Sequence, residues 1–186
     1  MRLTTPSNTK NNIIVLAKQL LKTRSYLGFS FQDIADEIGL RKASLHHHFP
    51  SKESLGVEII RELRASFEEW AESTPIDPHK KLDAYFCRFR KTVDVGAEVC
   101  PAGGLASGWS CIGEEMRIAA RDLRNTHVSW LTDVIGTIKQ KKSKTMKELA
   151  SYVFSACQGG LISSRMTGRS EEFDLVVKQL RVAIYS

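Results

Sequence analysis

The stretch RKASLHHHFPSKESL, Arg41 to Leu55, holds three consecutive histidines, a proline, and basic residues on both sides. Such groups could ligate a metal, move protons or bind a polyanion. Spacing separates these chemistries. On a helix, consecutive positions turn by about 100°, so His46, His47 and His48 point three ways and cannot close on one ion. Helical metal ligands sit three or four residues apart. What remains is recognition. Arg41 and Lys42 can donate to guanine edges, Ser44 can pair flexibly, and His46 and His47 can face the same partner. Lys52, in the first turn of a following helix, can join that helix's free N–H groups in holding one phosphate. His48 and Phe49 then finish the short helix and pack back onto the module.

These side chains need elements to position them, and the flanking sequence supplies helices. In NNIIVLAKQLLKT, the residues Ile13, Leu16, Ala17, Leu20 and Leu21 recur at helical steps and make one apolar stripe. In SFQDIADEIGL, Ser30 caps a second helix with Asp33 as its capping-box partner, and Phe31, Ile34, Ala35 and Ile38 face inward. Gly39 ends that helix where a left-handed residue is wanted. A third, short helix runs from about Lys42 to His47. Pro50 closes it, and Ser51 caps a long fourth helix. Helix, glycine turn, short helix is the layout of a helix-turn-helix, here over about residues 30–49, whose second helix enters the major groove of DNA. Ser30, Arg41, Lys42, Ser44, His46, His47 and Lys52 form the expected DNA-contacting set.

Charge agrees with that assignment. The chain has 186 residues and a net charge of +6. Residues 1–52 carry eight basic and three acidic groups, or +5, and the remainder carries 19 basic and 18 acidic groups, or +1. A basic N-terminal part on a nearly neutral body points to a polyanion partner. The apolar share of 42% and charged share of 26% are those of a soluble globular protein. No apolar run approaches the roughly 20 residues of a membrane helix, and MRLTTPSNTKNN lacks the apolar stretch of a signal peptide. The expectation is a cytoplasmic protein without membrane contact.

At this point GFSFQDIADEIGLRKASLHHHFPSKESL resembles the DNA-binding segment of the TetR/AcrR family of transcriptional regulators. The matching residues are Gly28-Phe29, Ile34-Ala35, Gly39, Leu45, His48-Phe49 and Ser51-Lys52-Glu53 with Leu55. The resemblance implies an all-α homodimer with an N-terminal three-helix helix-turn-helix domain and a C-terminal ligand-binding and dimerisation domain. It implies repression at a palindromic double-stranded DNA operator, relieved by a small-molecule effector. The sequence division expected is 1–52 and 53–186. Two positions depart from the family pattern. His46 stands where a tyrosine is usual, and Ser25 stands where a glycine follows the first helix. A non-glycine residue at positive φ costs roughly 1 kcal/mol.

The C-terminal part reads as further helices. TPIDPH is a break, followed by a helix from about Lys80 to Val95 with Leu82, Tyr85, Phe86, Phe89 and Val93 inward. EVCPAGGLASGW is irregular or a frayed short helix. GEEMRIAARDLRNTHVSWLTDVIGTIKQ is a long amphipathic helix with Met116, Ala119, Leu123, Trp130, Val134 and Ile138 on one face. Two last helices follow a KKSK corner. Phe86, Phe89, Cys100, Trp109, His127, Trp130 and Tyr152 could line an effector pocket, or simply fill the core. Gly159, Gly160, Ser163 and Ser164 keep one helix face low. With Phe173, Val176, Val177 and Leu180 they could make a four-helix contact across a two-fold axis, or a close contact within one subunit.

The four cysteines, Cys87, Cys100, Cys111 and Cys157, include no CxxC pair, so neither a zinc site nor a disulfide framework is expected. Pro101 suits a first helical position and would put Cys100 at an N-cap, where thiolates are stabilised. A regulator signalling oxidants or electrophiles through Cys100 is the second reading of function. An enzyme reading finds no HExxH, GxSxG, P-loop or paired-carboxylate constellation. No metal and no cofactor is expected.

Overall fold

A computed structural model describes residues 6–94, 100–141 and 143–186. Among the described residues it contains nine α-helices and no strand. They are α1 (Pro6–Arg24), α2 (Phe31–Ile38), α3 (Lys42–His48), α4 (Lys52–Glu72), α5 (Pro78–Asp94), α6 (Pro101–Gly104), α7 (Glu114–Ile138), α8 (Lys144–Thr167) and α9 (Glu171–Tyr185). Among the described residues no helix is long and apolar enough to cross a membrane.

The chain forms two compact units. One comprises Met1–Leu63 with Pro101–Arg121, the other Arg64–Cys100 with Asp122–Ser186. The N-terminal unit thus reaches past residue 52 and takes in a second stretch of chain. The first turns of α4 pack there, with Leu55, Ile59 and Ile60 buried. Lys10 and Lys18 of α1 are paired with Glu58 and Glu62 of α4 at 3.0 and 2.5 Å. Gly56 of α4 lies so close to Met116 of α7 that a Cβ would meet the Met116 Cε at 1.9 Å.

Within this unit, α1 buries Ile13, Ile14, Leu16, Ala17, Leu20 and Leu21. Ser25 follows it at φ 61°, ψ 173°, ahead of a 3-10 turn over Tyr26–Gly28. Ser30 then opens α2 with the expected capping box. Gly39 ends α2 at φ 67°, its N–H donating back to the Ala35 and Asp36 carbonyls. The third helix runs one residue longer than its pattern predicts, to His48, because the Phe49 N–H still closes on the Leu45 carbonyl at 2.8 Å.

The C-terminal unit is built on α5, α8, α9 and the later turns of α4 and α7. Helix α5 begins two residues ahead of its expected start. Pro78 fits a first helical position, and the Asp77 carboxylate accepts from the His79 and Lys80 N–H groups at 2.8 and 3.1 Å. The expected end at Val95 lies outside the described residues. EVCPAGGLASGW resolves, from Cys100 on, into the single-turn α6 and a 3-10 turn over Ala106–Cys111. Val128, Leu131 and Ile135 of α7 are buried as well as Val134, so the buried face of this helix is wider than the stripe its sequence suggests.

Candidate nucleic-acid interface and ligand cluster

The helix-turn-helix is set by what it buries. Ile34 and Ala35 of α2 and Leu45 of α3 are 0% exposed, and Phe49 is 4% exposed. With Leu45 inward, Arg41, Lys42, His46 and His47 face solvent and Ser44 is half-buried. Among the described residues, Arg41 and Lys42 make no side-chain hydrogen bond or ion pair, which leaves both heads free for an anion. The three histidines diverge. His46 points its Nδ1 at the Pro50 carbonyl, 3.2 Å away, and sets its ring edge against Phe31. His47 is exposed, and His48 lies half-buried with its ring edge against His47. Among the described residues no group of three metal-ligating side chains gathers.

Besides His46, two members of the expected DNA-contacting set are otherwise engaged. The Ser30 hydroxyl accepts from the Asp33 N–H at 3.2 Å and donates to the Asp33 carboxylate at 2.7 Å. These bonds hold the exposed Asp33 carboxyl below its usual range. Lys52 departs from expectation more sharply. Its ammonium is turned inward, donating to the Tyr26 and Phe29 carbonyls and lying 4.2 Å from the centroid of each of their rings. Burial lowers its pKa, with the Asp33 charge opposing that shift. In this conformation Lys52 clamps the turn ahead of α2 and does not present a phosphate ligand. With Lys10 and Lys18 also paired, the +5 excess of the first 52 residues is partly neutralised within the unit. Arg41 and Lys42 remain exposed basic side chains without a partner among the described residues.

Of the residues expected to line a pocket, the C-terminal unit brings Phe89, His127 and Trp130 together. The His127 ring stacks on Phe67 at 3.7 Å, and its Nδ1 lies 3.3 Å from the Tyr85 hydroxyl. Trp130 stacks with Tyr85 at 5.5 Å and packs against Trp70 at 5.5 Å. Desolvation, and then the nearby Arg88 charge, push the His127 pKa down to about 3. The ring is therefore neutral at pH 7, and Nδ1 shares a hydrogen bond with a Tyr85 hydroxyl whose own pKa burial raises well above its ordinary value. Phe86 is buried alongside, and Cys100 packs at the edge of the same cluster. Trp109 and Tyr152 lie elsewhere. Trp109 is an exposed residue of the N-terminal unit, its carbonyl accepting from Arg117, and Tyr152 stands exposed on α8.

Phe67, Trp70 and Arg88 belong to this cluster and were missed in the sequence. The first two sit in the later turns of α4, for which the sequence reading named no inward face, although the spacing Phe67-x-x-Trp70 was a visible aromatic pair. Cys100 immediately precedes α6, but that helix has four residues. So short a helix offers little of the aligned dipole expected to favour a thiolate.

The small-residue face of α8 divides in two. Gly160 is buried, and a Cβ there would meet Phe173 Cδ2 of α9 at 2.9 Å. Phe173 and Leu180 are 0% and 1% exposed. Gly160 and Phe173 therefore make a close contact of α8 with α9 within the subunit, with Leu180 buried in the same core. Gly159 is open, with nothing within 4 Å of a Cβ, and Ser163, Val176 and Val177 are half-buried. With Tyr152 and Leu175, Gly159 and Ser163 line a shallow surface groove along α8 and α9.

The family model for bacterial regulatory proteins of the tetR family matches residues 13–59, the segment from α1 into α4. The chain is 27% identical over 166 residues to the HTH-type transcriptional regulator LmrA of Bacillus subtilis, covering 84% of this chain and 86% of that protein. It is 22% identical over 175 residues to the HTH-type transcriptional repressor DhaR of a Mycobacterium species, covering 89% and 86%. Among solved structures, a TetR transcriptional regulator from Legionella pneumophila superposes with a TM-score of 0.85 at 26% identity, covering 98% of this chain and 99% of that one. A TetR-family regulator from Agrobacterium tumefaciens gives 0.87 at 26% identity, covering 97% and 98%.

Proposed function

This chain belongs to the TetR family of DNA-binding transcriptional regulators, and from that premise we propose that it is a homodimeric repressor released from a palindromic operator by a small molecule. The observation that carries the DNA half is the face of α3. Leu45 anchors the helix, while Arg41 and Lys42 stand in solvent with no partner among the described residues. Free guanidinium and ammonium groups at the start of a recognition helix are the groups that reach guanine edges in the major groove. The half-buried Ser44 and exposed His47 follow them along the helix.

The ligand half rests on the aromatic cluster of the C-terminal unit. Trp70, Arg88, His127 and Trp130 are half-buried, so part of each can reach an entering molecule. Around them, Phe67, Tyr85 and Phe89 are fully packed and hold the rings in place. Dimerisation is assigned to the outer faces of α8 and α9, where Ile162, Met166 and Leu175 are exposed apolar side chains.

Footprinting on the DNA upstream of the coding region tests the reading. A protected inverted repeat, with affinity falling steeply as salt rises, is expected. Lys42→Ala should relax base preference at one position of each half-site, at a cost of about 1–3 kcal/mol. Binding that lacks a protected repeat or ignores salt would refute operator recognition.

A further inference from the structure

The C-terminal cluster holds a cation that no described residue neutralises. Arg88 of α5 is half-buried, and among the described residues its guanidinium has no hydrogen bond and no ion pair. Its contact is the face of Trp70, 5.1 Å from the ring centroid. Other arginines of this unit are tied down. Arg90 meets Asp174 and Ser170, Arg124 meets Ser151, and Arg181 meets Asp83. Among the described residues, the titratable groups coupled to Arg88 are Cys100, Tyr85 and His127, and none is a carboxylate.

We propose that Arg88 is the anion-recognising residue of a site that takes a planar organic carboxylate, its body lying against Trp70 and Trp130. This rests on the reading that the C-terminal unit holds the effector. A partly desolvated guanidinium without a counter-charge is costly, and a carboxylate offsets that cost by accepting two parallel N–H donors. The neighbouring rings favour a flat partner. Trp70 and Trp130 pack 5.5 Å apart, and Arg88 already stacks on the first of them. His127 and Tyr85 add polarity without charge. His127 is neutral at pH 7, so it does not repel Arg88, and its ring shares a hydrogen bond with the Tyr85 hydroxyl through Nδ1. A cationic ligand would meet Arg88 as a like charge. A neutral one would leave the guanidinium unpaired.

Calorimetric titration of the whole protein with three isosteric probes tests this: 2-naphthoate, 2-naphthalenemethanol and 2-naphthylmethylammonium. The acid should bind at least tenfold more tightly than the alcohol, and the ammonium should not bind. Arg88→Met should raise the Kd of the acid at least tenfold and leave that of the alcohol within twofold. Arg88→Lys, which keeps the charge but loses the fork, should fall between. Equal affinity for acid and alcohol, no binding of the acid, or a variant indistinguishable from the parent would each overturn the proposal. Should Arg88→Met lose its helical circular dichroism, Arg88→Lys and Arg88→Gln decide on the same criteria. Operator binding separates this inference from the effector reading. Acid that binds through Arg88 yet leaves the DNA complex intact defeats the effector reading alone. Release by the alcohol or the ammonium, unchanged in Arg88→Met, keeps the effector reading and overturns the anion site.

Discussion

The ammonium of Lys52 lies 4.2 Å from the centroid of the Tyr26 ring and donates to the Tyr26 carbonyl, joining the first turn of α4 to the turn that precedes α2. The same group donates to Phe29. One side chain thus satisfies two carbonyls at the point where the helix-turn-helix begins. Removing it leaves those acceptors in a partly buried site.

Lys52→Met, which keeps the alkyl stem, should therefore destabilise the N-terminal unit by about 1–3 kcal/mol. Chemical denaturation followed by circular dichroism measures that. The DNA readout separates a clamp from a phosphate ligand. Loss of a phosphate contact would reduce the slope of log affinity against log salt by about 1. A clamp predicts weaker binding with the slope unchanged. A reduced slope with unchanged stability would show that Lys52 leaves its carbonyls and meets DNA.

Ser25 occupies φ 61°, ψ 173°, a region that only glycine enters without strain. A serine holds this conformation at the position where the resemblance to the family implies glycine. Ser25→Gly should relieve that strain and raise stability by about 1 kcal/mol, net of the extra freedom glycine gains in the unfolded chain. Ser25→Ala should not. A glycine variant that melts at or below the parent temperature would mean that the serine hydroxyl compensates for its backbone.

The helix-turn-helix was legible because its signals are local. Ser30 with Asp33 makes a capping box, Gly39 a left-handed end, and Leu45 an inward anchor three residues after Lys42; each depends on near neighbours in sequence. What stayed hidden depends on tertiary partners. The inward turn of Lys52 needs carbonyls 26 and 23 residues away. The pairing of Lys10 and Lys18 needs α4 alongside α1, so a count of charges overstated what DNA can meet. Trp109 and Tyr152 were aromatic in a region expected to hold a pocket, yet aromatic type alone carries no address. The same ambiguity split the glycine pair, since Gly159 and Gly160 differ by about 100° around α8.

That split predicts two different outcomes. Gly160→Leu would drive a side chain into Phe173 and Val176, which a Cβ would already approach at 2.9 and 3.4 Å. Overpacking of this kind costs about 1–3 kcal/mol. Its effect should appear as a lower melting temperature of the subunit. Gly159→Leu meets open space and should leave the fold intact. If the outer faces of α8 and α9 meet across the two-fold axis, Gly159→Leu or Leu175→Asp should halve the sedimentation mass of a still-helical protein. Both variants remaining dimeric would move that contact off these faces.

His127 makes stability depend on pH in a defined window. Its ordinary pKa of 6.5 falls to about 3 in the folded chain. Between those values the unfolded chain binds a proton that the folded chain does not. Stability is therefore full above about pH 7 and falls as the pH drops through 6.5, by up to about 1.4 kcal/mol per pH unit. From pH 7 to pH 5 the loss attributable to this ring is about 2 kcal/mol. Asp33, Asp77 and Glu114, whose pKa values are lowered, stay ionised across this interval and do not mask it. His127→Gln keeps an acceptor for the Tyr85 hydroxyl and removes the titration. Its stability should be flatter between pH 7 and pH 5 than that of the parent, whatever its absolute value. Parallel profiles for the two proteins in urea melts would show that the ring is protonated in the fold, and that its stacking on Phe67 does not exclude the charge.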